Sequence, residues 1–296
     1  MAHSFFQARQ ALSIFVAAVA LHRPWVEAAE VAAADKSHFN LLNPVPASSM
    51  RDLSTDRPDK TESAYTVDAG HFQIEMDLVT YERDHDTAAG ADTLTESWGV
   101  APMNLKMGLW NHVDFQLILD TFAHVRTKDR AMGTRVIQQG FGDITTRLKV
   151  NIWGNDAGRT AFAMMPFAKF PTNQDNLGNS AVESGLILPF AIDLGGGFGM
   201  GLMTEFDFIR NSANSDYHAE FINSITVSRD IVGDLGAYVE FWSLVSREAG
   251  SEWQGTVDLG LTFGLTDNVQ LDGGINIGVT RSAPDFQPFL GLSMRF

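Results

Sequence analysis

From Phe72 to Phe296, hydrophobic and polar residues alternate with a period of two in a series of short blocks. In Phe72-Gln73-Ile74-Glu75-Met76-Asp77-Leu78 every second residue is apolar. A helix would carry its charges three or four apart, so charges two apart mark a strand. The same pattern predicts strands over Ser97–Leu109, Val113–Phe122, Phe141–Trp153, Arg159–Phe170, Val182–Ile192 and Gly197–Phe208. It continues over Tyr217–Arg229, Leu235–Ser246, Gln254–Gly264, Asn268–Val279 and Phe286–Phe296. The final block alternates to its last residue. A terminal strand frays unless something holds it, so this one is expected to pair with Phe72–Leu78.

The connections sort by length along the chain. Segments 83–96, 123–140 and 171–181 are long, while 110–112, 154–158 and 193–196 are short, and the later connections keep the order. Sorted loops, an even strand number and strands of roughly 9–11 residues are the signature of an outer-membrane barrel. The predicted fold is therefore all-β: an antiparallel transmembrane β-barrel of about 12 strands. Residues 69–296 form the barrel, and the polar, proline-bearing residues 35–68 form an irregular periplasmic N-terminal segment. Two stretches, Gly108–Gln116 and Gly264–Asp272, read as one tight hairpin used twice, with Asn or Asp in the turn. Pro102, Pro166 and Pro189 fall inside predicted strands. Each is expected to mark a bulge or a strand end, because proline cannot donate to a ladder.

Composition narrows the class. The chain is acidic, with 21 Lys+Arg against 36 Asp+Glu, which disfavours nucleic acid as a partner. Mean hydropathy is −0.05, as expected where lipid-facing and lumen-facing residues alternate. There is no Cys, so thiolate metal sites, disulfides and a lipid-modified Cys are excluded. Arg9, an apolar run from Ala11 to Leu21 and an Ala-rich stretch predict a secretory signal peptide over residues 1–34. Outer-membrane lipid and the barrel-assembly machinery are the expected partners, with a small-molecule solute and no cofactor.

Three stretches carry a family resemblance. They are Thr55-Asp56-Arg57-Pro58-Asp59-Lys60-Thr61-Glu62-Ser63 with Val67–Glu75 after it, Gly140-Phe141-Gly142-Asp143, and Phe167-Ala168-Lys169-Phe170-Pro171-Thr172. On these the chain resembles the outer-membrane family named for the meta-pathway of phenol degradation, whose members are described as transporters. Lys60 departs from the hydrophobic or aromatic residue common before Thr-Glu-Ser in that family. The resemblance implies transport of small compounds, aromatic ones among them, and supplies no catalytic residue.

If the apolar face meets lipid, the other face lines the lumen. The predicted lumen-lining set is Glu75, Asp77, Lys106, Asp114, Asp120, Arg147, Lys149, Lys169, Glu205, Asp207, Glu220, Glu240, Asp258, Asp272 and Arg295. Acid outnumbers base in it, which favours cations or neutral solutes. These charges line a watery pore or form salt bridges that fill a closed barrel; twelve strands fall between the two regimes. Asp56, Arg57, Asp59, Lys60 and Glu62 form a charged run before the first strand. It reads as a plug or gating segment, or else as a solvated linker. The glycines from Gly195 to Gly201 lack the Lys-Ser/Thr and the helix of a phosphate loop. His218 with Ser215 and Asp216 is the best hydrolase candidate, and Asp84, Asp86 and Asp92 are the best calcium candidates. Both groups are more simply loop residues, and no metal site is expected. Phe296 is the expected barrel-closure signal.

Overall fold

The computed structural model describes residues 35–87 and 91–296, so the expected leader lies outside the described residues. One antiparallel sheet begins with β1 (Phe72–Asp86), β2 (Thr93–Val100), β3 (Met103–Trp110), β4 (Val113–Leu119) and β5 (Ala123–Asp129). It continues with β6 (Thr134–Gly140), β7 (Ile144–Trp153), β8 (Thr160–Phe170), β9 (Glu183–Gly195) and β10 (Phe198–Arg210). The series ends with β11 (Tyr217–Val232), β12 (Leu235–Ser246), β13 (Gln254–Thr266), β14 (Val269–Gly278) and β15 (Phe286–Arg295). β15 pairs with β14 and also with β1, which closes the sheet on itself.

Three crossings are each broken into two strands. β1 pairs with β3 through Phe72–Met76 and with β2 through Val79–Asp86, so β2 and β3 are halves of one crossing. β4 and β5 are halves of the next, and β6 and β7 of the third. Counted this way, twelve crossings surround the bore. At the first break Ala101 has φ 55° and Pro102 follows, so Pro102 does mark a strand end. Pro166 and Pro189 do not. Each sits within a continuous register, and pairing lapses opposite it, between Arg147↔Phe167 and Val150↔Met164 and between Phe162↔Phe190 and Met165↔Ile187. The lost donor costs one rung without shifting the strand.

The predicted long loops 83–96 and 123–140 are mostly strand. β1, β2, β5 and β6 run on past the breaks as a sheet of their own. Short turns at 111–112, 233–234 and 267–268 define the inner end of the barrel, together with the β1–β15 seam. The turns after β3 and β13 carry the same register shift, between Gly108/Trp110 and between Gly264/Thr266, so the hairpin predicted to recur does recur. At the seam Phe72 N–H donates to Phe296 O at 3.2 Å and Phe296 N–H donates back at 2.8 Å.

Burial is inverted relative to a water-soluble fold. Lys149, Asp114, Gln116 and Asp258 are fully buried, while Trp110, Phe141, Phe208 and Phe296 are exposed. Charges at this density inside a closed wall, with aromatics outside near both rims, fit a barrel whose outer face meets lipid. Among the described residues the only helix is the short Ala47–Ser49 turn.

Candidate functional site

The segment before β1 enters the bore as a finger. Residues 36–51 pack at the inner mouth, where Leu41 N–H donates to Leu109 O at 2.9 Å and Val45 N–H to Ala69 O at 3.0 Å. The chain then rises to a tip at 56–62 and returns to β1. Its base is gathered on Asp68, whose buried carboxylate lies 3.3 Å from Lys36, 3.4 Å from Arg51 and 3.6 Å from Arg295 of β15. Asp156, in the turn between β7 and β8, takes Lys36 and Arg51, each at 2.8 Å. Two acids thus share three cations, an arrangement that compensates buried charge from both sides.

At the tip, charge alternates in direction as well as in sign. Asp56 accepts from Lys149 of β7 at 2.5 Å and pairs with Lys106 of β3, which also holds Glu75 of β1. Glu62 pairs with Arg147 of β7. Arg57 turns the other way, to Asp77 of β1 at 2.8 Å and Asp272 of β14 at 2.7 Å. Lys60 Nζ donates to Thr256 Oγ1 at 2.9 Å and lies 3.4 Å from Asp258 of β13, and its backbone N–H donates to Glu240 of β12 at 2.8 Å. Thr61 donates to Glu240 at 2.5 Å and shares a hydrogen bond with Ser224 of β11 at 2.6 Å. Seven residues touching strands on every side of the barrel lie across its bore.

Glycines on the inner wall make room for this. A Cβ on Gly291 of β15 would stand 2.0 Å from an Arg57 nitrogen, and one on Gly108 of β3 would stand 2.1 Å from the Asp68 carbonyl oxygen. On Gly201 it would press on Thr61 at 3.0 Å. Toward the outer mouth, a cavity of about 200 Å³ is bounded by Lys60, Glu82, Trp242, Gln254 and Gln287. Toward the inner mouth, cavities of about 400 and 230 Å³ both touch Asp59, the larger also Thr61 and the smaller also Arg57.

Of the residues predicted to line the lumen, Glu75, Asp77, Lys106, Arg147, Lys149, Glu240, Asp258 and Asp272 meet the finger or its direct partners. Asp114 is buried beside them and accepts the Val67 N–H at 3.0 Å, and Arg295 holds the base. Lys169 pairs with Glu183 at 2.5 Å and Glu220 with His218 at 3.1 Å, while Glu205 and Asp207 share β10 with Met203. Asp120 lies one residue past the end of β4, in the break before β5, and is exposed. The pattern also missed inward apolar residues. Met165, Ile187, Met203 and Ile222 form a buried cluster with Phe167, Trp242 and Leu244 against it. In Leu186-Ile187-Leu188 both faces are apolar, so periodicity cannot say which side is in.

The hydrolase candidate does not assemble. His218 Nδ1 meets Asn211 at 2.8 Å and Nε2 meets Glu220 at 3.1 Å, and neither ring nitrogen bonds Ser215 or Asp216. No group of metal-ligating side chains occurs among the described residues; Asp92 instead bonds His85 at 2.8 Å.

No curated protein sequence matches the chain. Among solved structures it is similar to the NanC porin, with 8% identity, TM-score 0.49, and 75% of this chain and 98% of that chain covered. The translocator domain of the autotransporter NalP from Neisseria meningitidis aligns with 9% identity and TM-score 0.46, covering 76% and 88%. The CymD monoaromatic hydrocarbon channel aligns with 9% identity and TM-score 0.42, covering 76% and 87%. A family model described as "Putative MetA-pathway of phenol degradation" matches residues 55–296, beginning within the finger and ending on Phe296. The chain belongs to that family, as an outer-membrane β-barrel.

Proposed function

We propose that the protein is a gated passive channel for small molecules across the outer membrane, held shut by the finger. One observation carries this reading. The charged side chains at mid-depth take partners from the finger more than from neighbouring strands, as Arg147, Asp77, Asp258 and Asp272 do. A barrel filled for strength alone would pair those charges from wall to wall. Here the occluding element is a non-strand segment tethered at its base, which can leave without breaking a ladder.

Small aromatic or apolar compounds are the proposed cargo. The family description, which refers to phenol degradation, supports this, as does the apolar cluster on the inner wall beside the finger. Export through a signal peptide over residues 1–34 belongs to the same reading. Planar-bilayer recordings test it. The wild type is expected to be mostly closed, and the Asp56→Asn, Arg57→Gln, Lys60→Gln, Glu62→Gln variant to conduct. If neither conducts, the barrel is a filled structural one.

A further inference from the structure

The finger's two cations sit in seats of the same design. Lys60 Nζ lies 4.5 Å from the centroid of the Trp242 ring, with Thr256 Oγ1 and Asp258 beside it. Arg57 Cζ lies 5.6 Å from the Phe289 ring, with Asp77 and Asp272 beside it. Each seat joins an aromatic face to wall carboxylates, the combination that holds organic cations. Among the described residues no wall cation pairs with Asp77, Asp258 or Asp272; their ion-pair partners are the two finger side chains.

Two further observations favour the Trp242 seat as a place for a ligand. Asp258 is fully buried, yet its Oδ1 has no hydrogen-bond partner, while Oδ2 accepts from Thr256 at 3.1 Å. The cavity of about 200 Å³ adjoins the same Lys60 and Trp242 on the outer-mouth side and has room for a six-membered ring.

We propose that the Trp242–Asp258 seat binds small organic cations, an ammonium group on an apolar or aromatic body, which compete with Lys60 for it. The ammonium takes the place of the Lys60 Nζ, the body fills the cavity beyond, and the tip of the finger loses one of its two cationic anchors. The proposal rests on the finger being displaceable and narrows the channel's cargo to amines.

The test is calorimetric titration of the full-length protein in detergent with 2-phenylethylammonium. A tethered ammonium competes at an effective concentration in the millimolar range, so Lys60→Gln should tighten binding by about tenfold or more over wild type. Adding Asp258→Asn should remove that gain, and 2-phenylethanol, with the same body and no charge, should show none. The proposal is overturned if Lys60→Gln does not tighten binding, if Asp258→Asn leaves the gain intact, or if the alcohol gains equally. Should Lys60→Gln not fold, judged by heat-modifiable gel mobility, wild type is compared with Trp242→Phe. Ammonium binding must then weaken by about threefold, and no change overturns the proposal. Bilayer recordings on the same preparations separate the two readings. Tightened binding with every variant closed retains the seat and removes the gate, whereas opening without tightened binding retains the gate and removes the seat.

Discussion

Lys106 is 3% exposed and serves Asp56 of the finger and Glu75 of the wall at once. Lys106→Ala leaves both acids buried without it, a loss of about 3–5 kcal/mol for a broken buried pair. The backbone ladder of β3 is untouched, so the expected outcome is an unseated finger in an intact barrel. Frequent openings in bilayers with unchanged heat-modifiable mobility would show it.

Asp59, on the finger and outside the crossing strands, sets a pH dependence. Burial pushes its carboxyl up to about 7, against a hydrogen bond from Thr226, and the nearby Glu62 and Asp56 add to the rise. Glu240 and Tyr238 face it from β12. A raised carboxyl favours the neutral form when docked, so docking is strongest below the free value of 3.8. It weakens as pH climbs and levels off above about 7. Asp56 does not share this window: burial would raise it, but Lys106 and Lys149 prevail and hold it well below the usual carboxylate range. Open probability is therefore expected to rise between pH 5 and 7, and Asp59→Asn to flatten the rise. These charges were legible as a run in the sequence; their partners were not, because pairing across a bore depends on strand order rather than on spacing.

At the scale of elements, the strands that face lipid were the legible ones. β7, β13, β14 and β15 alternate because one face meets hydrocarbon and the other meets charge. The runs 83–96 and 123–140 carry no such demand. β5, Ala123–Asp129, is Ala-His-Val-Arg-Thr-Lys-Asp, polar on both faces, and its Arg126 pairs with Glu96 of β2. A strand with no lipid side has no hydrophobic period to read. The seam makes an element-level prediction. Deleting Phe296 removes both hydrogen bonds to Phe72 and an exposed aromatic at the inner rim. The yield of heat-resistant barrel should fall, while protein that does close should conduct as wild type does.

For the whole molecule, the finger supplies counter-charges to both signs of wall residue, Arg57 and Lys60 to its acids and Asp56 and Glu62 to its bases. Withdrawn, it exposes Asp77, Asp258 and Asp272 on one side and Lys106, Arg147 and Lys149 on the other, with Glu205 and Asp207 further out on β10. Acid remains in excess, so the opened channel should prefer cations. In a potassium chloride gradient the reversal potential of the finger-neutralised variant should shift toward the potassium value.

The finger also bears on how the barrel is built. It lies immediately before β1, yet its anchors include Asp272 on β14, the notch at Gly291 and Arg295 on β15. The finger's full set of anchors therefore exists only once the last hairpin is in place. Until then Arg57 has one of its two carboxylates, and Asp68 lacks Arg295. If the finger gates the bore as proposed, assembly and gating draw on the same bonds. Substitutions that free the finger should also slow the final closure, so that on this reading prompt assembly and a shut resting state come together.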